Sequence, residues 1–85
     1  MDSRVADVRV GTELVEITAR PADRTASGWS IAAFTSTCAI RSTKCNDAEA
    51  LRRFANAIAA ACDDEGFIEA TDIDLLEAEI QNLMA

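Results

Sequence analysis

"RVADVRVGTELVEITAR", residues 4–20, alternates apolar and polar positions, but the phase slips midway. Val8 and Val10 share one parity, while Val15, Ile17 and Ala19 share the other. Gly11–Thr12 sits at the slip. Side chains on a strand alternate between faces with period two, so a change of parity means that the chain turned back or gained a residue. A Gly-Thr pair suits the two-residue turn with glycine at its first central position, which predicts a hairpin. A single bulged strand is the competing reading, because glycine inside a strand often marks a bulge. The hairpin is preferred.

Working outward, "PADRTASG" (21–28) collects the residue types of a loop. "WSIAAFTSTCAIR" (29–41) alternates again, with Trp29 and Ile31 in one phase and Phe34, Cys38 and Ile40 in the other. Two explanations fit. Either one long strand carries a bulge near Ala32–Ala33, or two short strands turn at Thr35–Ser36. The Thr, Ser and β-branched content favours strand in both.

The second half changes period. "NDAEALRRFANAIAAAC" (46–62) puts Leu51, Phe54, Ala55, Ile58 and Cys62 on one helical face. Asn46 or Asp47 can cap it, and Glu49 precedes Arg53 by the favourable four residues. Gly66 supplies a left-handed stop, with Phe67 placed to fold back on the last turn. Thr71 with Asp74 resembles a capping box, and the helix that follows carries Ile73, Leu76, Ile80, Leu83 and Met84 on one stripe. Strands come first and helices second. The economical solution is an α+β fold, a small antiparallel sheet of three or four strands followed by two C-terminal helices packed on one face. One domain spans 1–85, with strands over about 4–41 and helices over about 47–65 and 72–84.

Eighty-five residues with four aromatics (Trp29, Phe34, Phe54, Phe67) make a thin core of Val, Ile, Leu, Ala and Cys. Small chains bury a low fraction of their surface, which points to a homodimer or a partner-bound state as a source of further stability. The N-terminus "MDSRVADVRV" has no apolar signal core, and no apolar run approaches a membrane span. Three cysteines without a CxxC pair argue against a disulfide framework. The expected compartment is the cytoplasm, with reduced thiols and no membrane. Cys38 and Cys62 fall in apolar phases and read as core filler, Cys45 as incidental.

Charge is distributed unevenly. The net charge is −7; residues 1–45 carry six bases and five acids, residues 46–85 two bases and ten acids. "CDDEGFIEATDIDLLEAEI" (62–80) contains eight carboxylates and no base. Such a stretch could bind metal, meet a basic partner, or keep the chain soluble. A calcium loop with Gly66 at its sixth position would place Asp63, Glu65 and Asp72 at the third, fifth and twelfth, ligand positions, with Ile68 eighth, but its first ligand falls on Ala61 and its last lacks the bidentate Glu. No metal or other cofactor is expected. Catalysis is not expected either. The chain has no His and no Tyr, which removes the commonest general base and any Ser-His or Cys-His pair. Carboxylates such as Asp63 and Asp64, on a solvated helix end, would keep ordinary pKa values.

The stretch reads best as a docking surface of Asp63, Asp64, Glu65, Glu69, Asp72, Asp74, Leu75 and Glu79. Leu75 points nearly opposite to the inward stripe and would be an apolar contact inside an acidic rim. The alternative surface is the outer face of the sheet, with Arg9, Glu16, Thr18, Arg20, Thr37 and Arg41. With no aromatic clearly placed there and a field opposed to phosphate, direct nucleic-acid binding is not expected.

Carboxylates three and four apart on a helix lie about 5–6 Å from each other, comparable in scale to phosphate spacing along a strand. Size, acidity, α+β layout and the lack of a catalytic motif together resemble the phage-encoded anti-CRISPR proteins. Those proteins share no common motif, so no residue role is carried over. The resemblance implies a nucleic-acid mimic in a bacterial host's cytoplasm. Its partner would be a CRISPR effector complex, inhibited by blocking nucleic-acid binding or nuclease recruitment. The alternative is a small homodimeric structural or regulatory module whose acidity serves solubility.

Overall fold

The computed structural model describes residues 3–21, 28–42, 47–62 and 68–85. Four strands, β1 (Arg4–Val10), β2 (Glu13–Pro21), β3 (Trp29–Phe34) and β4 (Ala39–Ser42), precede two helices, α1 (Ala48–Cys62) and α2 (Ala70–Met84). The strands pair in chain order, each antiparallel to the next.

The slip at Gly11 is a hairpin. Val10 pairs directly with Glu13, leaving Gly11 and Thr12 as the two turn residues. Gly11 has φ of 60°, and no non-glycine among the described residues has positive φ. That is the geometry in which glycine leads the turn. The turn reverses the chain, so Val8 faces Val15 and Ala6 faces Ile17 on one side of the sheet.

Residues 29–41 are two strands around a four-residue turn. Thr35 closes it: its N–H donates to the Cys38 carbonyl at 2.9 Å, and its Oγ1 accepts the Cys38 N–H at 3.0 Å. Phe34 pairs with Ala39 and Ala33 with Ile40, so Ile40 returns to the inner face. Phe34 does not share that face. The even positions of β3 lie opposite to Ile31 and Ala33, so Phe34 faces outward, and Cys38 is an exposed turn residue where core filler was expected.

Both helices cover the inner face. Val8, Val10, Val15, Ile17, Ala19, Ile31 and Ala33 from the sheet meet Leu51, Phe54, Ala55, Ile58 and Ala59 of α1 and Leu76, Ile80 and Leu83 of α2. Alanines at 19, 33, 55 and 59 are buried with them, so small side chains fill part of the core. Isoleucines at 17, 31, 58 and 80 are fully buried and each contribute about 1.5–3 kcal/mol. Cys62 is partly buried against this core. α2 lies over β1 and β2, and α1 reaches β4, so the helices divide the sheet between them. Among the described residues no layer covers the other sheet face.

The caps follow their chemistry. Asp47 Oδ1 accepts the Ala50 N–H at 2.7 Å, an N-cap for α1. The α2 cap sits two residues before the expected one: Asp72 Oδ2 accepts the Glu69 N–H at 3.1 Å, so the box is Glu69–Asp72 and Thr71 lies inside the helix. The helix therefore begins at Ala70 where 72 was expected. The predicted stop at Gly66 and Phe67, the cap at Asn46 and the thiol of Cys45 lie outside the described residues.

Candidate functional site

The acidic stretch comes apart when folded. Asp63, Asp64 and Glu65 lie outside the described residues. Of the remaining predicted residues, Asp72 is turned onto the backbone of its own helix start, where a carboxylate also meets the positive end of the helix dipole. Asp74 is drawn towards α1. Arg52 Nη1 donates to Asp74 Oδ1 at 2.5 Å and to Glu77 Oε2 at 2.8 Å. These contacts hold the Arg52 guanidinium above its ordinary pKa, the Asp74 hydrogen bond being the larger cause. The sequence around 62–80 contains no counter-charge, yet packing supplies one from the neighbouring helix.

A helix turns about 100° per residue, so Asp74 and Glu77 mark the flank of α2 that faces α1. Leu75 and Glu79, one turn apart, lie on the opposite flank, with Asp72 one turn before Leu75. Leu75 is 44% exposed. Thr71, Ala78 and Asn82 complete that flank, and no base occurs on it. The structure thus brings together Asp72, Leu75 and Glu79, leaves Glu69 exposed at the helix entrance, and assigns Asp74 to an ion pair.

The C-terminal end of α2 has a base that its own sequence lacks. Arg4 Nη1 donates to the Leu83 main-chain oxygen at 2.9 Å and to that of Ala85. Its guanidinium also lies 5.2 Å from the centre of the Trp29 ring. A cation at the negative end of the dipole stabilises the last carbonyls. The one signal in the sequence was negative: the last turn of α2 has no basic residue.

The uncovered sheet face presents Arg9, Glu16, Thr18, Arg20 and Arg41, as the alternation predicts, while Thr37 sits in the β3–β4 turn. Phe34 joins them opposite Glu16, an aromatic that the alternation alone does not clearly place on this face. Val5 and Leu14, 58% and 55% exposed, are on the same face. Between β2 and β4 this face dips into a half-open groove of about 500 Å³, lined by Arg20, Arg41, Thr18, Ser30, Ala32 and Phe34 among others. Beyond its edge, Glu13 Oε1 accepts hydrogen bonds from Ser36 Oγ at 2.6 Å and Ser36 N–H at 2.9 Å, joining the two turns. The Ser36 hydroxyl, and secondarily its N–H, hold the Glu13 carboxyl below its ordinary pKa.

Charge is segregated by layer. From Asp47 onward the described residues hold seven carboxylates and two arginines, all in or beside the helices; the open sheet face has Arg9, Arg20 and Arg41 against Asp7 and Glu16. Among the described residues no group of three or more metal-ligating side chains comes together. No helix of the described residues is long and apolar enough to cross a membrane. No protein-family model matches the chain, and no curated protein and no solved structure is similar to it.

Proposed function

We propose that this chain is a non-enzymatic binding protein that docks the outer flank of α2 on a basic surface of another protein. One observation carries the reading. Leu75 stands 44% exposed on a flank whose charged groups, among the described residues, are carboxylates alone. An apolar contact inside a rim of one charge sign is the composition of an interface, where the rim steers encounter and the centre resists release. The resemblance to anti-CRISPR proteins makes the basic surface that of a nucleic-acid-handling effector, blocked by carboxylates standing where phosphates would. Asp63, Asp64 and Glu65 precede the same helix in sequence and extend the acidic run towards its entrance. The setting is the cytoplasm of a bacterial host.

The test is displacement. Labelled nucleic acid bound to a purified CRISPR effector complex should be released by the protein, less efficiently as salt rises. Glu79→Lys should slow association, and Leu75→Ala should speed dissociation with little salt dependence. Wild-type behaviour in both variants would contradict the assignment.

A second reading rests on a separate observation. Val5 and Leu14 expose apolar surface on the uncovered sheet face, which a second copy of the chain would bury. In that case the chain is a homodimeric module, and light scattering should give twice the 9.1 kDa chain mass.

A further inference from the structure

We infer that the groove on the open sheet face is a binding site for a small nucleotide-type oxyanion, with the anion held between Arg20 and Arg41 and a flat ring laid over Ala32 against Phe34. The site goes beyond the proposed docking role and lies on the other face of the molecule.

Its construction follows from the register. On the outer face, Thr18 stands opposite Ala32 and Arg20 opposite Ser30, while Ala32 stands opposite Arg41. β3 therefore contributes two small residues, Ser30 and Ala32, between two arginine-bearing strands. Arg20 and Arg41 stand two strand spacings apart, about 10 Å, and one two-residue step apart along the strands, about 7 Å, a diagonal that two arginine side chains can close from either side onto one anion. The small residues make the floor, and Phe34, next along β3, stands at one end.

The electrostatics select the ligand. Among the described residues no carboxylate lines the groove. The nearest acids on this face, Glu16 opposite Phe34 and Asp7 opposite Glu16, share the Phe34 row, one step along the strands from Thr18, Ala32 and Arg41. Arginine forks match the oxygens of phosphate and carboxylate, and the Thr18 and Ser30 hydroxyls can donate to the same group. Three of the other arginines are engaged elsewhere: Arg4 at the α2 terminus, Arg52 with two carboxylates, Arg53 near Glu49 at 3.9 Å. Two arginines lining one groove with no carboxylate among its described lining residues, in a chain of net charge −7, is a local inversion of the protein's field.

Volume and shape point to more than a bare ion. At about 500 Å³ the groove falls in the range of small-molecule sites. An aromatic wall favours a ring that can stack. A nucleoside monophosphate supplies both parts, either free or as the end of a single strand. The whole-molecule charge distinguishes the two sources, because each additional phosphate meets a protein of net charge −7.

Isothermal titration with adenosine 5′-monophosphate, inorganic phosphate and a short oligoadenylate tests this directly. The monophosphate should bind more tightly than inorganic phosphate, and the oligomer no more tightly than the monophosphate. Arg20→Ala and Arg41→Ala should each weaken the monophosphate at least tenfold, with Arg41→Lys intermediate. Phe34→Ala should weaken the monophosphate severalfold and leave inorganic phosphate unchanged. Circular dichroism of each variant checks the fold, and amide shifts at Ser30 and Ala32 on titration locate the ligand without any substitution. Absence of binding at millimolar monophosphate, or unchanged binding in both arginine-to-alanine variants, would overturn the site. An oligomer binding ten times more tightly than the monophosphate would overturn the small-ligand assignment.

Discussion

Arg52 sits between two carboxylates of another helix, and its surroundings limit what it contributes. Its side chain is 41% exposed, as against 66% for Asp74 and 23% for Glu77. Exposed pairs of this kind gain little, because water screens the attraction and two long side chains lose freedom. Arg52→Ala should lower stability only slightly, read as a small fall in the urea midpoint at unchanged slope. A large fall in the midpoint would mean that the pair behaves as a buried one. Glu13 gives a pH signature. Its native pKa lies below the unfolded one because Ser36 hydrogen-bonds the carboxylate. Between the two values the unfolded state binds the extra proton. The contribution is therefore complete above the ordinary glutamate value of about 4.3 and is lost as pH falls through the lower native value. Glu13→Gln should remove that part of the acid dependence of stability, and an unaltered acid limb would contradict the contact.

At the scale of the element, the hairpin turn makes the sharpest prediction. A side chain at residue 11 would have to adopt φ of 60°, and its Cβ would come 3.3 Å from Ile68 Cδ1. Gly11→Ala should destabilise by about 1–2 kcal/mol, measured by chemical denaturation; a neutral result would contradict the turn geometry. This turn was legible in the sequence because a parity change needs a physical cause and Gly11–Thr12 offered one. The two helical stripes were legible for the same reason, their period being unbroken over four turns. Phe34 was not. Its hydrophobicity suggests the core, and only the pairing across the Thr35–Cys38 turn decides its face. Nor was the α2 start legible. Thr71 with Asp74 and Glu69 with Asp72 have the same spacing, and the choice between them depends on where the chain enters the helix layer. Arg52 and Arg4 were missed as partners of α2 because they come from α1 and β1, 22 and 79 residues distant.

At the scale of the whole molecule, one sheet separates two surfaces of different charge. The helix layer is acidic, with an apolar residue on its outer flank; the open face carries a groove with two arginines and, among the described residues, no carboxylate in its lining. These surfaces make the two binding assignments independent, so substitutions on one should leave the other intact. In the proposed docking role, the acidic flank competes with nucleic acid for a basic protein surface. Fluorescence anisotropy of labelled nucleic acid on a purified CRISPR effector complex, titrated with wild-type protein, Leu75→Ala combined with Glu79→Lys, and Arg20→Ala combined with Arg41→Ala, measures it most directly. Wild type and the arginine variant should displace the nucleic acid, less so as salt rises, and the Leu75–Glu79 variant should not. Displacement that survives in the Leu75–Glu79 variant, or that disappears in the arginine variant instead, would contradict that role.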